Sequence, residues 1–497
     1  MASTRIQAPE TPKTVAIIGA GISGLKAADI LLAAGVKVKI FEARDRVGGR
    51  VHQIECGGHL VDVGANWIHD TDGNPLVDIA KRTHSELFWR PGASAIVGSD
   101  GKTRSPVITT WLGKSLNAIM AQAYDFSAKY SDEIDPGESL MDFVHEKAWS
   151  AYRGAPDYLQ DLLNEAERFG LFIGERTSRQ SLKFLTYEEG PGGTDAFNAS
   201  TYREILGYIA SRAVKAGMIH LEKEVTKITY DKFGDVKGVV VTTAEGTKET
   251  FDEVVITCPL GWLKQHQKAL FTPSLPKALS VAIDNVGYGR LEKLYLSFPS
   301  AWWLERDTLH GTIDGPKRHA FATHFHDPQY GTYPPGLPSN VAILSLAHLP
   351  NHCDHPTLLI YLSGPCATKM VRSIASLEPN SGEYNATIDE FAKPYYSRLP
   401  NYDSNDPACS PAAYFGSTWQ ADHLAGNGSY SFGKVGSTQL DIDLGTLRES
   451  GGLGERAGVW FAGEHTALPE YLATVTGAFL SGKRAAEDVL AKWSAGT

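Results

Sequence analysis

The sequence predicts an α/β fold, a doubly wound Rossmann-like domain interleaved with an α+β domain, and three observations predict it. A glycine-rich turn joins an apolar strand to a helix within the first forty residues. Helix-like and strand-like textures then alternate along the chain, and the last hundred residues return to an apolar strand followed by a helix. The chain has 497 residues, 42% of them hydrophobic, more than one compact core requires.

The first unit reads strand, loop, helix, strand. Val15 to Ile18 is a β-branched apolar run leading into GAGISG; LKAADILLAAG is helical, with Gly35 as its terminating glycine. Val36, Val38 and Ile40 alternate as a strand that ends at Glu42. From about Trp111 to Arg176 the chain reads as helical, broken at Pro136-Gly137. After Tyr202 come a helix, a hairpin-like pair (IHLEKEVTKITYD and VKGVVVTTAEG), a strand-like DEVVITCPLGWLK, and further strands at LEKLYLSF and NVAILSLAHL. Residues 351–401 read as a strand and helices. The division that follows is 1–90, 205–290 and 415–497 for the nucleotide-binding domain, with 91–204 and 291–414 for the substrate domain.

Composition excludes several classes. Lys plus Arg number 47 against 57 Asp plus Glu, a formal charge of −10, which argues against a nucleic-acid partner and favours attraction of cations. Five scattered cysteines make no disulfide framework, which points to a cytoplasmic protein. The polar leader before Val15 lacks the apolar core of a signal peptide, and no run is long enough to span a membrane. Asn198, Asn385 and Asn427 stand in N-x-S/T triplets, which occur often by chance.

Gly19, Gly21 and Gly24 form G-x-G-x-x-G between strand and helix, where backbone N–H groups and the helix dipole hold a pyrophosphate. Glu42 stands where a carboxylate accepts from a ribose, and together these point to an adenine dinucleotide. The run ARDRVGGR that follows adds three arginines and a glycine pair.

With EARDRVGGR, DVGANWIH, EVTKI, DEVVITCPLGWLK, LEKLYLSF, GSYS, FAGEHT and TGAFLSGKRAA in that order, the chain resembles the flavin-containing amine oxidases, which include polyamine and monoamine oxidases. The resemblance runs nearly end to end and implies FAD, not a nicotinamide. It places cofactor contacts on Gly19, Gly21, Gly24, Glu42, Arg44, Gly49, Arg50, Gly64, Ala65, Asn66, Trp67, Val225 and Glu464, and at the closing helix on Thr474 and Val475. There Thr474, Gly477, Ala478, Ser481, Gly482 and Ala485 make a small-residue face, suited to close approach or to plain helix packing.

The resemblance also implies catalytic-site residues. Lys293 matches the family lysine that holds a water against flavin N5; on its strand both neighbouring faces read as apolar, so the ammonium is expected inside. Trp419 and Tyr430 match the aromatics beside the flavin. Ser429 stands where monoamine oxidases carry the cysteine bonded to the cofactor, which implies non-covalent FAD. Thr474 occupies the position of the second cage ring, leaving Tyr430 alone unless Tyr471, Phe479 or Phe415 reaches over. His69 falls where polyamine-oxidising relatives place a substrate-facing histidine or acid, and a hydrogen-bonded loop histidine is the plain alternative. Asp70 adds negative charge beside it. Glu188 and Glu189 are read as a solvated acidic pair rather than a cation trap. Two histidine clusters, His319, His324 and His326 with Asp327, and His348, His352, Cys353 and His355, follow no common zinc spacing, and no metal is expected.

The expectation is therefore oxidative deamination by hydride transfer to flavin N5, imine hydrolysis and reoxidation by O2 to hydrogen peroxide. A polyamine or a long-chain or bulky primary amine is the expected substrate. An L-amino-acid oxidase, with Arg90 or Arg203 facing the carboxylate, and a non-catalytic flavoprotein module are the alternatives.

Overall fold

The computed structural model describes residues 13–89, 94–188, 190, 193–231, 238–304, 320–330 and 340–495. Arg90, Glu189 and His319 lie outside the described residues.

Burial explains the central sheet. Val15, Ala16 and Ile17 are wholly buried, as are Val254, Val255 and Ile256, so these runs are covered on both faces and pair in parallel. The sheet holds Val459–Phe461, Glu253–Ile256, Thr14–Ile18, Lys37–Phe41 and Ile219–His220 side by side in that order, every pair parallel. The first strand thus lies in the middle, and the chain builds outward on both sides of it, which opens a crevice at the strands' carboxyl ends. One face is covered by the helices Ile22–Ala33, Arg203–Lys215 and Val475–Ala495. Leu260, Leu263, Leu279, Leu440 and Leu444 from three further helices fill the other face, beside a smaller four-stranded sheet.

The second body is a six-stranded sheet with the order Ala413–Gly416, Glu292–Ser297, Thr357–Leu362, Val341–Ser345, Ala322–Phe325, Ser94–Val97. Leu294, Leu296, Leu358 and Ile360 pack one face against the helices Gly364–Ile374 and Gly382–Tyr396. Tyr295 and Leu359 occupy the other, with Phe197 and Val61. The helices Pro106–Tyr130, Leu140–Tyr152 and Pro156–Ala166 share a separate core around Leu112, Leu116, Val144 and Leu162.

Three readings change. The helical stretch begins at Pro106, because Ser105 accepts from the Ile108 N–H and proline suits the first turn. DEVVITCPLGWLK is not one strand. It stops at Ile256, and Pro259 precedes a helix over Leu260–Leu270, since proline has no N–H for a ladder but fits a helix start. The closing helix begins at Val475, with Thr474 outside it: its Oγ1 accepts from Gly477 N at 2.9 Å and donates to the Tyr471 carbonyl at 2.8 Å. Asn198 is 1% exposed, which removes it as a glycosylation acceptor. No helix among the described residues is long and apolar enough to cross a membrane.

Candidate active site

The helix Ile22–Ala33 starts at Gly21 without a side-chain cap, so its first-turn N–H groups stay open to a ligand. Gly19 has φ +107°, a conformation natural only to glycine, and a Cβ on Gly21 would meet no atom within 4 Å, which leaves room beside the turn. Glu42 closes the second strand and is buried; its carboxylate accepts from Ala20 N at 2.7 Å and Arg44 N at 2.9 Å. The loop beyond folds back, with Gly48 N donating to the Ala20 carbonyl at 2.8 Å and Gly49 following in the turn. Lys223 N donates to the Glu42 carbonyl and Glu222 N to that of Arg44, which brings Val225 into the same neighbourhood.

Distant parts of the chain close this cradle. Arg44 pairs with Asp422 at 2.8 Å, and Arg50 bonds Glu464 Oε1 at 2.8 Å and the Ser429 carbonyl at 2.7 Å. Burial would raise the Glu464 carboxyl, but Arg50, His465 and Ser431 together hold it below its ordinary value. Buried His465 has neither ring nitrogen hydrogen-bonded among the described residues, and burial pushes its pKa down to about 4. Open helix N–H groups, two guanidinium groups and a strand-end carboxylate suit a dinucleotide's pyrophosphate and ribose.

Beside the cradle lies Lys293, 4% exposed. Its ammonium donates to the Gly64 carbonyl, to Asn66 Oδ1 and, at 3.3 Å, to the Asp62 carbonyl. Burial pushes its pKa down to about 7, against the opposing pull of the Asp62 and Glu292 carboxylates. Asp62 is itself pushed up by burial, although Gln53 donates to it at 2.6 Å. Glu292 is pushed up by burial to about 7 and gathers donors from Ser417 Oγ, Trp419 N at 3.1 Å and Gln420 N at 2.8 Å. That carboxylate therefore anchors the turn carrying Trp419, whose indole N–H donates to the Val63 carbonyl at 3.2 Å. Asn66 is buried, Trp67 donates to the Tyr361 hydroxyl at 3.3 Å, and Ala65 packs against the core beneath the first sheet.

Tyr430 lies within electrostatic reach of Tyr361, Glu188 and Glu464, and burial is the main cause that raises its phenol. Glu188 is not a solvated loop acid. Its carboxylate accepts from Gly433 N at 2.7 Å and Gln180 Nε2 at 2.9 Å, and burial pushes it up to about 7. His69 pairs with Asp195 at 3.1 Å, in a loop where Asp195 also accepts from Asp70 N. Of the rings considered as partners for Tyr430, Phe479 packs in the helix core with the Lys26 ammonium 4.9 Å from its ring, and Phe415 packs beside Tyr295 and Trp419. The Pro469–Tyr471 turn packs against the turn Leu185–Glu188, and Val475 joins the core beneath the first sheet. His326 is buried and pairs with Glu165 at 2.8 Å. Sequence reasoning passed over Asp62, Glu292 and Tyr361. Asp62 and Glu292 stand in quoted motifs as acids inside apolar runs, while Tyr361 reaches the lysine only through strand pairing.

The model of the flavin containing amine oxidoreductase family matches residues 22–490. The chain belongs to that family. Among curated relatives, the probable polyamine oxidase 4 of Arabidopsis thaliana is 26% identical over 488 residues, covering 96% of this chain and 86% of its own. The peroxisomal N(1)-acetyl-spermine/spermidine oxidase of Homo sapiens is 24% identical over 522 residues, covering 98% and 96%. Among solved structures, a putrescine oxidase from a redesign of cofactor binding superimposes with a TM-score of 0.68 at 18% identity, over 97% of this chain and all of that one. The protein is an FAD-dependent amine oxidase, with the α/β fold of that family. In this amine oxidase the uncapped helix and the Arg50–Glu464 pair belong to the cradle, and Lys293 lies beside it among the oxygens of Asp62, Gly64 and Asn66.

Proposed function

We propose that this amine oxidase takes amines carrying a second cationic nitrogen, of the diamine or polyamine class, and that Glu188 receives the distal charge while the reacting carbon lies beside Tyr430. The carrying observation is the hydrogen-bonded Glu188 carboxylate within electrostatic reach of Tyr430. Bound FAD, held by the cradle without a covalent link, supplies the hydride acceptor and the reaction with dioxygen that gives peroxide. Tyr430 offers a ring face to the amine. Glu292 fixes Trp419 and so the wall beside it. Lys293 stands beside them, its nitrogen held by the oxygens of Gly64, Asn66 and Asp62.

The geometry offers less to an amino acid. Arg203 is exposed at the start of its helix, and Arg290 is committed to the two oxygens of Glu175. A bulky primary amine has one supporting observation: the Thr474 hydroxyl is spent on capping, so no ring stands there. We place the protein in the cytoplasm, on a set of five cysteines too few, too scattered and odd in number for a disulfide framework.

Anaerobic mixing with diamines, polyamines and monoamines tests the reading. Diamines should bleach the flavin band at lower concentration than monoamines of equal length, and a panel in which only amino acids bleach it sinks the proposal. Glu188→Gln should raise the diamine KM about ten- to hundredfold, the worth of one charge-assisted hydrogen bond, and leave monoamines unchanged.

Proton balance gives a further expectation. Catalysis needs a neutral reacting amine, and Glu188, raised to about 7, is charged only above that pH. For diamines kcat/KM should therefore rise in two limbs, one near 7 and one toward the amine pKa. Glu188→Gln should abolish the lower limb alone.

A further inference from the structure

Lys293 and Tyr361 are direct partners across the antiparallel strands Glu292–Ser297 and Thr357–Leu362. The pairing places the Lys293 ammonium 5.4 Å from the centre of the Tyr361 ring. The two side chains also converge on one atom. The Tyr361 hydroxyl donates to Asn66 Oδ1 at 2.8 Å, and the Lys293 ammonium donates to the same oxygen. The other side of that amide is fixed, because Asn66 Nδ2 donates to the Tyr295 hydroxyl at 3.4 Å. The Tyr361 hydroxyl in turn accepts from the Trp67 indole at 3.3 Å.

We propose that Tyr361 is a positioning residue for Lys293, acting through the shared amide oxygen of Asn66. A carbonyl oxygen has two lone pairs, and here a phenol occupies one and an ammonium the other. The phenol holds the amide in place and competes for its electron density, so it sets both where the lysine nitrogen rests and how firmly it is held as a cation. The remaining groups facing Lys293 are Asp62 from the strand His59–Asp62, Glu292 beside it, and the Tyr295 phenol two residues on. None of them touches Asn66 Oδ1 in the way Tyr361 does.

The inference rests on the reading that Lys293 faces the flavin, and the test separates the two. The probe is the visible absorption of the oxidised, FAD-loaded protein between pH 5 and 10, which reports the charge beside the ring without turnover. Wild type should show a transition that Lys293→Met removes. Tyr361→Phe, which deletes only the hydroxyl, should move that transition up by about one pH unit, a tenfold gain for the ammonium once its competitor is gone. In a Lys293→Met background Tyr361→Phe should then change neither the spectrum nor the rate of reaction with dioxygen, because its effect passes through the lysine. If Tyr361→Phe does not retain FAD, Tyr361→Leu serves in its place. An unmoved transition in Tyr361→Phe, or an equal effect in both backgrounds, overturns the inference. A transition that survives Lys293→Met overturns the underlying reading of the lysine instead.

Discussion

Replacing Lys293 by methionine should slow the reaction of the reduced flavin with dioxygen by about two orders of magnitude, while FAD content and diamine affinity stay close to wild type. Methionine keeps the length and apolar contacts of the lysine stem and removes only the nitrogen. That nitrogen donates to Gly64, Asn66 and Asp62 from a position 4% exposed, where water does little to dampen its field. Removing one preorganised polar group from a dry site costs about 10²–10³ in rate. The pH dependence has a definite sign. Burial lowers the Lys293 pKa to about 7, so the ammonium predominates below and the amine above. Wild-type reoxidation, followed by stopped-flow absorbance, should change across pH 7, and Lys293→Met should run flat. Reoxidation as fast in the variant as in wild type would falsify the assignment of this lysine to the flavin's reactive face.

Arg50→Met should yield protein that is colourless or nearly so and less stable by about 3–5 kcal/mol, the usual cost of stripping one partner from a buried ion pair. Arg50 is the sole guanidinium bonded to Glu464, whose side chain is 5% exposed, among the described residues. Without it the carboxyl, which burial already pushes upward, takes a proton and loses its role as an acceptor. The linkage follows: because Glu464 is held below its unfolded value, the pair's contribution is complete above the ordinary carboxylate range and fades as pH falls through the folded value. Thermal melts of wild type and Arg50→Met should therefore differ most at neutral pH and converge in acid. A yellow variant with an unchanged melt would show that the pair is dispensable.

How much of this was legible beforehand depends on range. The first unit was readable because strand, turn, helix and carboxylate lie within thirty residues and each obeys a local rule: Gly19 takes φ +107°, and Glu42 ends its strand. The interior position of Lys293 was only half readable from alternation, since apolar neighbours on both faces leave no solvent side but an edge-strand lysine shows the same pattern; the family resemblance decided it. Glu188 was misread because a charged pair before glycine has the composition of a surface loop. Its carboxylate is held by Gln180 and by Gly433, a residue 245 positions away. Tyr361 gave no local sign at all, since only register places it opposite Lys293. The start of the helix at Leu260 was missed because apolar runs of that length suit either element, and the deciding proline was passed over.

The placement of Val459–Phe461 and of the helix Val475–Ala495 bears on biosynthesis. That strand finishes a sheet whose first member is Thr14–Ile18, and that helix lies along Ile22–Ala33. The nascent amino-terminal half must therefore wait, with one sheet edge bare and one helix face uncovered, until translation has passed residue 495. Glu464 lies beyond that strand, so its pair with Arg50 closes only after the same interval.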